Sequence, residues 1–179
     1  MIFRTETNSH NGFAPQPTLR ERHIVTANTT EHLGAPDLKF AGLQVWVHGY
    51  QFPDAEDAWD GNWLRVTAHC GASGASVWVS GTFLDTVAIR RFLDGLVAMH
   101  ASLTGTAQLG TDEPELAAWA SVDEHTGHVD FRVEITSDPL AQQHVFRFEA
   151  DQSYLPSAIA ECRKLLDQYP VRDAARRPG

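Results

Sequence analysis

The sequence is poor in the residues that build disulfide frameworks, zinc centres and basic surfaces. Only Cys70 and Cys162 occur among the 179 residues, far apart and outside any Cys-x-x-Cys pattern. We therefore expect neither a disulfide framework nor a metal site, and we expect reduced thiols in the cytoplasm. Lysine occurs only at Lys39 and Lys164, and acidic residues outnumber basic ones by 23 to 14. Because no run of Lys and Arg is present, we predict that the protein does not bind nucleic acid.

Long apolar runs are also missing. The first ten residues, M-I-F-R-T-E-T-N-S-H, contain no apolar segment of the kind found in signal peptides. A helix that crosses a membrane needs about 18 or more apolar residues in a row, and the chain has no such run. The sequence therefore predicts a cytoplasmic protein that does not enter a membrane.

Catalytic motifs are absent as well. The stretch from Gly71 to Gly74 is one residue short of a Gly-x-Ser-x-Gly elbow, and a strand rather than a helix follows it. The stretch from Gly105 to Gly110 lacks the Lys and Ser/Thr of a phosphate-binding loop. The nine histidines show no His-Glu-x-x-His spacing. We therefore predict no catalytic residue, no cofactor and no bound metal, and hence no enzyme.

What is present is one ordinary globular domain between two polar ends. Residues 1–36 contain Pro15, Pro17 and Pro36 and no sustained periodicity, which indicates a flexible or peripheral arm. Residues 37–170 carry the periodic apolar pattern of a single domain. Residues 171–179 are predicted to form a disordered tail.

Apolar residues in the domain alternate at strand spacing and recur at helical spacing. The pattern predicts six strands, at residues 43–48, 62–69, 75–83, 115–122, 128–135 and 144–150, with residues 106–109 left as a further short candidate. One helix should begin at Asp85 or Thr86 and end at Gly105, and another should begin at Asp151 or Ser153. The order is βββα-βββα. The expected fold is α+β, with one antiparallel sheet of about six strands and both helices on one face.

Three tryptophans should lie on the opposite face of that sheet. In the predicted register, Trp46, Trp63 and Trp78 alternate with the inward apolar residues. So much aromatic surface is rarely left in water, so we expect the N-terminal arm or a second copy of the chain to cover it. The alternative is a register shifted by one residue, which would return the tryptophans to the core.

An acidic stretch with two tryptophans is the main candidate for a binding site. Asp54, Glu56, Asp57 and Asp60 lie close together, and Trp59 and Trp63 bracket an Asp-Gly-Asn turn. The spacing does not fit a calcium-binding EF-hand loop. The turn is a structural feature in one interpretation, in which Gly61 adopts a positive φ. In the other interpretation it contacts a partner protein. Trp59, Asp60 and Trp63 would then anchor the interface, and Asp54, Glu56 and Asp57 would steer association.

Several motifs resemble a bacterial family. They are G-Y-Q-F-P from Gly49, W-D-G-N-W-L from Trp59, S-L-T-G from Ser102, G-H-V-D-F from Gly127 and F-R-F-E-A-D-Q-S-Y-L from Phe146. Over residues 38–170 they are similar to the WapI-type immunity proteins and related small bacterial domains. The resemblance implies a non-enzymatic module that binds and blocks a toxin domain, often a basic nuclease. It carries over no binding residue by position. The alternative function is a structural or regulatory homodimer that has no toxin partner.

Overall fold

The structure is a computed structural model that describes residues 33–55, 57–123 and 125–172. Within these residues the chain forms four strands and a helix, and then four strands and a helix again. The first half consists of β1 (Leu38–Phe40), β2 (Leu43–Tyr50), β3 (Trp63–Ala72), β4 (Ala75–Asp85) and α1 (Thr86–Ser102). The second half consists of β5 (Thr106–Gly110), β6 (Leu116–Val122), β7 (Val129–Ile135), β8 (His144–Ala150), a 3-10 turn (Gln152–Tyr154) and α2 (Leu155–Gln168).

The strands form two antiparallel sheets. The first sheet has the order β1-β2-β3-β4 and the second has the order β5-β6-β7-β8. The α+β class is therefore confirmed, but the single sheet of about six strands is wrong. Hairpin spacing specifies which strands are neighbours, and it does not say whether β4 and β5, on either side of a helix, belong to one sheet. Each sheet also has one strand more than the six predicted strands account for. In the first sheet this is β1, whose three residues are too few to show an alternating pattern. In the second sheet it is β5, which corresponds to the short candidate at residues 106–109.

Both sheets contribute to one apolar core. The ring of Phe40 in the first sheet packs edge to face against Phe131 in the second, with 4.4 Å between centroids. The same ring packs edge to face against Phe92 of α1 at 5.0 Å. All of these rings are buried. The predicted inward face of β7 is confirmed, since Val129, Phe131, Val133 and Ile135 are at most 1% exposed.

The ends of α1 are fixed by local hydrogen bonds. Asp85 is the N-cap, and its Oδ1 accepts from the backbone N–H of Ala88 at 2.6 Å. At the other end, Leu103 adopts a left-handed conformation with φ 55°, and its N–H donates to the carbonyl of Met99. The helix therefore ends at Ser102, three residues before the predicted Gly105. Gly95 lets α1 approach β5 closely, because a Cβ there would lie 2.8 Å from the Cβ of Ala107.

The outer face of the first sheet carries the tryptophans Trp46 and Trp78. Their rings stack with 5.6 Å between centroids, and Trp78 stacks on His69 at 4.2 Å. Trp46 is only 4% exposed, and its Nε1 donates to the carbonyl of Gly34 at 3.1 Å. Residues just before β1 therefore lie over this face. The predicted arm at residues 1–32 falls outside the described residues.

The two residues at positions 171 and 172, shortly after α2, pack against the rest of the domain. Val171 is half-buried against the core, and Arg172 makes several hydrogen bonds that are described below. Both residues lie in the segment that the sequence predicts to be a tail, and the rest of that segment, residues 173–179, lies outside the described residues. Among the described residues, neither helix is long and apolar enough to cross a membrane.

Candidate functional site

The acidic stretch lies in the connection between β2 and β3, residues 51–62, which we call the acidic loop. Both strands that bound it are irregular at this end. The pairing of β2 with β3 shifts between Val47 and Gly49, and the pairing of β3 with β4 shifts between Leu64 and Val66. Such irregularities bend strands and redirect the segments that follow them. They therefore set the direction in which the acidic loop leaves the sheet.

Asp57 organises the centre of the loop. Its Oδ1 accepts from the backbone N–H of Trp59 at 2.9 Å and from that of Asp60 at 2.7 Å. Its backbone carbonyl accepts from the N–H of Gly61 at 3.1 Å. These bonds close a compact turn in which one carboxylate satisfies two donors. Asp57 is therefore part of the loop's structure as well as of its charge.

Gly61 is required by space and not by its torsion angle. The predicted positive φ is wrong, because Gly61 is not among the glycines with a positive φ. A Cβ at this position would lie 2.5 Å from the carbonyl oxygen of Asp57 and 3.3 Å from the Cδ of Arg172. Only a residue without a side chain lets the turn close against Arg172.

Asn62 joins the acidic loop to two distant parts of the chain. Its side chain is 2% exposed and makes four hydrogen bonds. The amide nitrogen donates to the carbonyls of Ala58 (2.7 Å) and Arg172 (2.9 Å). The amide oxygen accepts from the hydroxyl of Thr86 (2.6 Å) and from the N–H of Arg172 (2.8 Å). Both donor hydrogens and both acceptor positions of this amide are therefore used.

Arg172 extends this connection. Its Nη1 donates to the carbonyl of Phe52 at 3.2 Å, and its guanidinium carbon lies 3.7 Å from the centroid of the Tyr50 ring. The Tyr50 hydroxyl in turn donates to the carbonyl of Pro170 at 2.6 Å. Burial raises the pKa of Tyr50, and the charge of Arg172 and its hydrogen bond partly oppose that effect. The segment after α2 therefore fixes both ends of the acidic loop.

Sequence reasoning did not identify Asn62 and Arg172 as a pair. They are 110 positions apart, and Asn62 fits turn chemistry well enough to need no other explanation. An arginine shortly after a helix end is an equally ordinary feature. Only the three-dimensional arrangement shows that they form one unit.

The loop presents aromatic and acidic side chains to solvent. Trp59 is 84% exposed and Phe52 is 46% exposed, both unusually high for large apolar residues. Asp54, Asp57 and Asp60 of the same loop are exposed as well. Glu56, the remaining predicted residue, lies outside the described residues.

Trp63 is half-buried and joins Trp59 in lining a groove. The groove has a volume of about 820 Å³ and lies between the acidic loop, the first half of α1 and β5 with the turn that follows it. We call it the acidic groove. Its charged lining residues are the three carboxylates Asp85, Asp112 and Glu113 and the single cation Arg91. The structure therefore unites part of the predicted site with residues that the sequence did not connect to it.

Among the residues that the structure describes, titratable groups outside this region form no comparable site. The thiols of Cys70 and Cys162 are buried, and burial raises their pKa to about 12, so both are poor nucleophiles. In the parts of the chain that the structure describes, no group of three or more His, Cys, Asp or Glu side chains is placed to hold a metal ion. His128 pairs with Glu149 on the surface, and that hydrogen bond raises the pKa of His128.

Comparison with known proteins gives one informative result. No curated protein matches the sequence. A solved structure described as "Structure of the plant transcriptional regulator PBF-2" is similar at a TM-score of 0.43, with 7% sequence identity over 71% of this chain and 75% of that chain. So distant a likeness carries no argument about function. The Immunity protein WapI-like family matches residues 36–170, which include all eight strands and both helices. The chain therefore belongs to the WapI-like immunity protein family.

Proposed function

We propose that this protein is an immunity protein that binds a toxin domain through the acidic loop and blocks it by occupying its surface. The observation that carries the proposal is Trp59, which is 84% exposed on a loop held in place by the hydrogen bonds of the buried Asn62 side chain. Family membership supports the general role. Inhibition of this kind needs a surface and no catalytic group, so we propose that the protein is not an enzyme.

An exposed tryptophan on a fixed loop is well suited to anchor an interface. Tryptophan is enriched among the few residues that dominate binding energy, because it buries a large area with little conformational freedom to lose. Asn62 and Arg172 order the loop before a partner arrives, which lowers the entropy lost on binding. Trp59 and Phe52 would therefore be the apolar anchors.

The charge of the protein indicates the kind of partner. The chain carries a formal net charge of −9, and Asp54, Asp57 and Asp60 are exposed on the same loop as Trp59. Such a surface accelerates association with a positively charged protein. A toxin domain with a basic surface fits this chemistry, and we place the encounter in the cytoplasm of a bacterium. The two free cysteines are compatible with that compartment.

The test is protection of cells by co-expression. Bacteria that express a candidate toxin domain, chosen from the genes adjacent to this one, should survive when the wild-type chain is present. Trp59→Ala should weaken the complex by about 2 kcal/mol or more, roughly thirtyfold in Kd, and reduce survival. The matched control is Leu140→Ala, which removes another exposed apolar side chain, here 99% exposed, from the connection between β7 and β8. If cells that express the toxin domain survive equally well with and without the wild-type chain, the proposal is contradicted.

Charge variants separate steering from anchoring. Replacing Asp54 and Asp60 with asparagine should slow association severalfold at low salt and leave dissociation nearly unchanged, because exposed charges act mainly on the encounter. Equal association rates for the variant and the wild type, measured by stopped flow, would assign no steering role to these carboxylates.

The alternative, a homodimer without a toxin, would use the outer face of the first sheet. That face offers little tryptophan surface, since Trp46 is 4% exposed and stacks on Trp78 within the same chain. Sedimentation of the purified protein at increasing concentration measures the oligomeric state directly. A stable dimer that dissociates on Trp78→Ala would favour the alternative.

A further inference from the structure

We propose that the acidic groove receives a basic, extended segment of the partner protein, with an arginine or lysine side chain held between the tryptophans and the carboxylates of Asp112 and Glu113. This inference rests on the proposed function and adds to it a second contact area and the chemistry of its occupant. The acidic loop is then one wall of the interface. The other walls are α1 and the turn after β5.

The shape of the groove fits such a segment. A volume of about 820 Å³ is within the range of about 300–1,000 Å³ that protein ligand sites span. Its walls combine the apolar surfaces of Trp59, Trp63 and Val87 with the polar backbone near Gly110. Val87 is 37% exposed although it is apolar. The groove therefore offers an apolar lining for the carbon chain of a long basic side chain.

The charge of the groove selects a cation. Asp85, Asp112 and Glu113 contribute three negative charges, and Arg91 contributes one positive charge. Asp85 caps α1 with one oxygen, so it also offsets the partial positive charge at the start of that helix. The exposed Asp60 lies next to Trp59 in the chain and adds to the negative potential near the groove. A partner segment that brings positive charge is favoured at this site over one that brings negative charge.

The chain itself shows how it accommodates arginine against aromatic rings. The guanidinium of Arg172 lies over Tyr50 at 3.7 Å, and that of Arg132 lies over Trp119 at 5.2 Å. Among the described residues, neither Trp59 nor Trp63 has a cation over its ring. These two indoles remain available for a cation from a partner, and such contacts are worth about 0.5–2 kcal/mol each.

Other occupants fit less well. A nucleic acid would bring phosphates toward three carboxylates in a protein of net charge −9. A second copy of the chain carries the same net charge and would be repelled at long range. A basic protein segment is the occupant that matches both the apolar lining and the charge.

The test uses a defined peptide with the full chain. Acetylated, amidated hexa-arginine is titrated into ¹⁵N-labelled protein and followed by NMR, with hexa-glutamate as the control peptide. We expect the indole N–H of Trp59 and the amides of Gly110, Asp112 and Glu113 to shift, and the shifts to shrink as salt is added. Shifts spread evenly over all surface acids, or none at millimolar peptide, would overturn the proposal. If the same resonances shift when the protein is concentrated without peptide, the groove binds a second copy of the chain, and the proposal is overturned as well.

Charge reversals within the groove sharpen the result. Glu113→Lys should weaken peptide binding roughly fivefold, and Arg91→Glu should strengthen it by a similar factor. The matched control is Asp130→Lys, which changes the net charge by the same amount on the outer face of the second sheet. Equal effects of Glu113→Lys and Asp130→Lys would show that only the overall charge matters, and would overturn the groove as a site.

Failure of this inference is distinguishable from failure of the proposed function. If the protein protects cells but the groove does not bind the peptide, the groove is not a binding site and the proposed immunity function is unaffected. If the groove binds the peptide but the protein does not protect cells, the immunity function is contradicted and the groove is still a cation-binding site.

Discussion

The two sheets share one design and differ in regularity. Each is an antiparallel four-stranded meander followed by a helix. In the second sheet no strand exceeds seven residues, and the register of every pair is continuous. In the first sheet β3 and β4 have 10 and 11 residues, and two of its three pairings contain a register shift. The regular sheet therefore serves packing, and the irregular one also carries the acidic loop.

The corresponding connections show what the irregularity achieves. In the second sheet, residues 123–128 join β6 to β7 through a short turn in which Asp123 accepts from the N–H of His125 at 2.8 Å. In the first sheet, residues 51–62 join β2 to β3 and project Trp59 into solvent. A long loop needs anchors to remain ordered, and Asn62 and Arg172 provide them. The predictions below test this division of roles.

The largest expected effect concerns the core that both sheets share. Phe131→Ala should lower the free energy of unfolding by about 3–5 kcal/mol, because the ring is 1% exposed and packs against Phe40 across the sheets. Urea denaturation followed by circular dichroism measures the loss. Leu140→Ala, at a side chain that is 99% exposed, should change stability by less than about 0.5 kcal/mol. Two separate unfolding transitions would contradict a shared core.

The next effect concerns the anchor of the acidic loop. Asn62→Ala should cost about 2–3 kcal/mol, since it leaves the buried hydroxyl of Thr86 and the half-buried backbone groups of Ala58 and Arg172 without their partner. It should also weaken toxin binding beyond the loss of stability, because Trp59 loses its fixed position. The counterpart in the second sheet, Asp123→Ala, should have a smaller effect on unfolding and none on toxin binding. Equal losses in both variants would remove the distinction between the two loops.

A smaller effect tests the close packing at Gly61. Gly61→Ala should destabilise the protein by about 1–3 kcal/mol, because the added methyl would lie 2.5 Å from the carbonyl oxygen of Asp57. Gly81→Ala in β4 is the control, since its Cβ would meet only the Phe83 ring at an ordinary contact distance of 3.4 Å. Thermal unfolding of the two variants gives the comparison. Similar melting temperatures would show that the turn relaxes without cost.

The smallest effect is a difference in pH dependence between the sheets. Burial lowers the pKa of His69 in the first sheet below 6.5, whereas the hydrogen bond that His128 donates to Glu149 in the second sheet raises the pKa of His128 above 6.5. The unfolded chain therefore takes up a proton more readily than folded His69, and stability is lost as the pH falls below 6.5. The His128 contribution is complete below 6.5 and is lost as the pH rises through its folded pKa. NMR titration of the imidazole resonances should show midpoints on opposite sides of 6.5.

Local pattern was sufficient to predict most elements but not their assembly. Alternation from Val129 to Ile135 predicts both the extent of β7 and its buried face, and Asp85 marks the start of α1. Pattern does not specify that the chain begins a second sheet after α1, because that depends on how helices and strands fill a shared core. Trp59 and the acidic residues beside it in the sequence indicate the acidic loop. The sequence does not indicate the groove beside it, since β5 and the turn at residues 110–113 come close to the loop only in the folded chain.

The position of Arg172 limits how far this protein can be truncated at its C-terminal end. Similarity to the family ends at residue 170, so a fragment designed on that boundary would look complete. It would nevertheless lack the backbone groups that fill two of the four hydrogen bonds of Asn62, and the cation over Tyr50. The span that matches the family is thus shorter than the span that is needed to keep the acidic loop in its conformation. Its last essential piece is a single arginine just outside the recognisable domain.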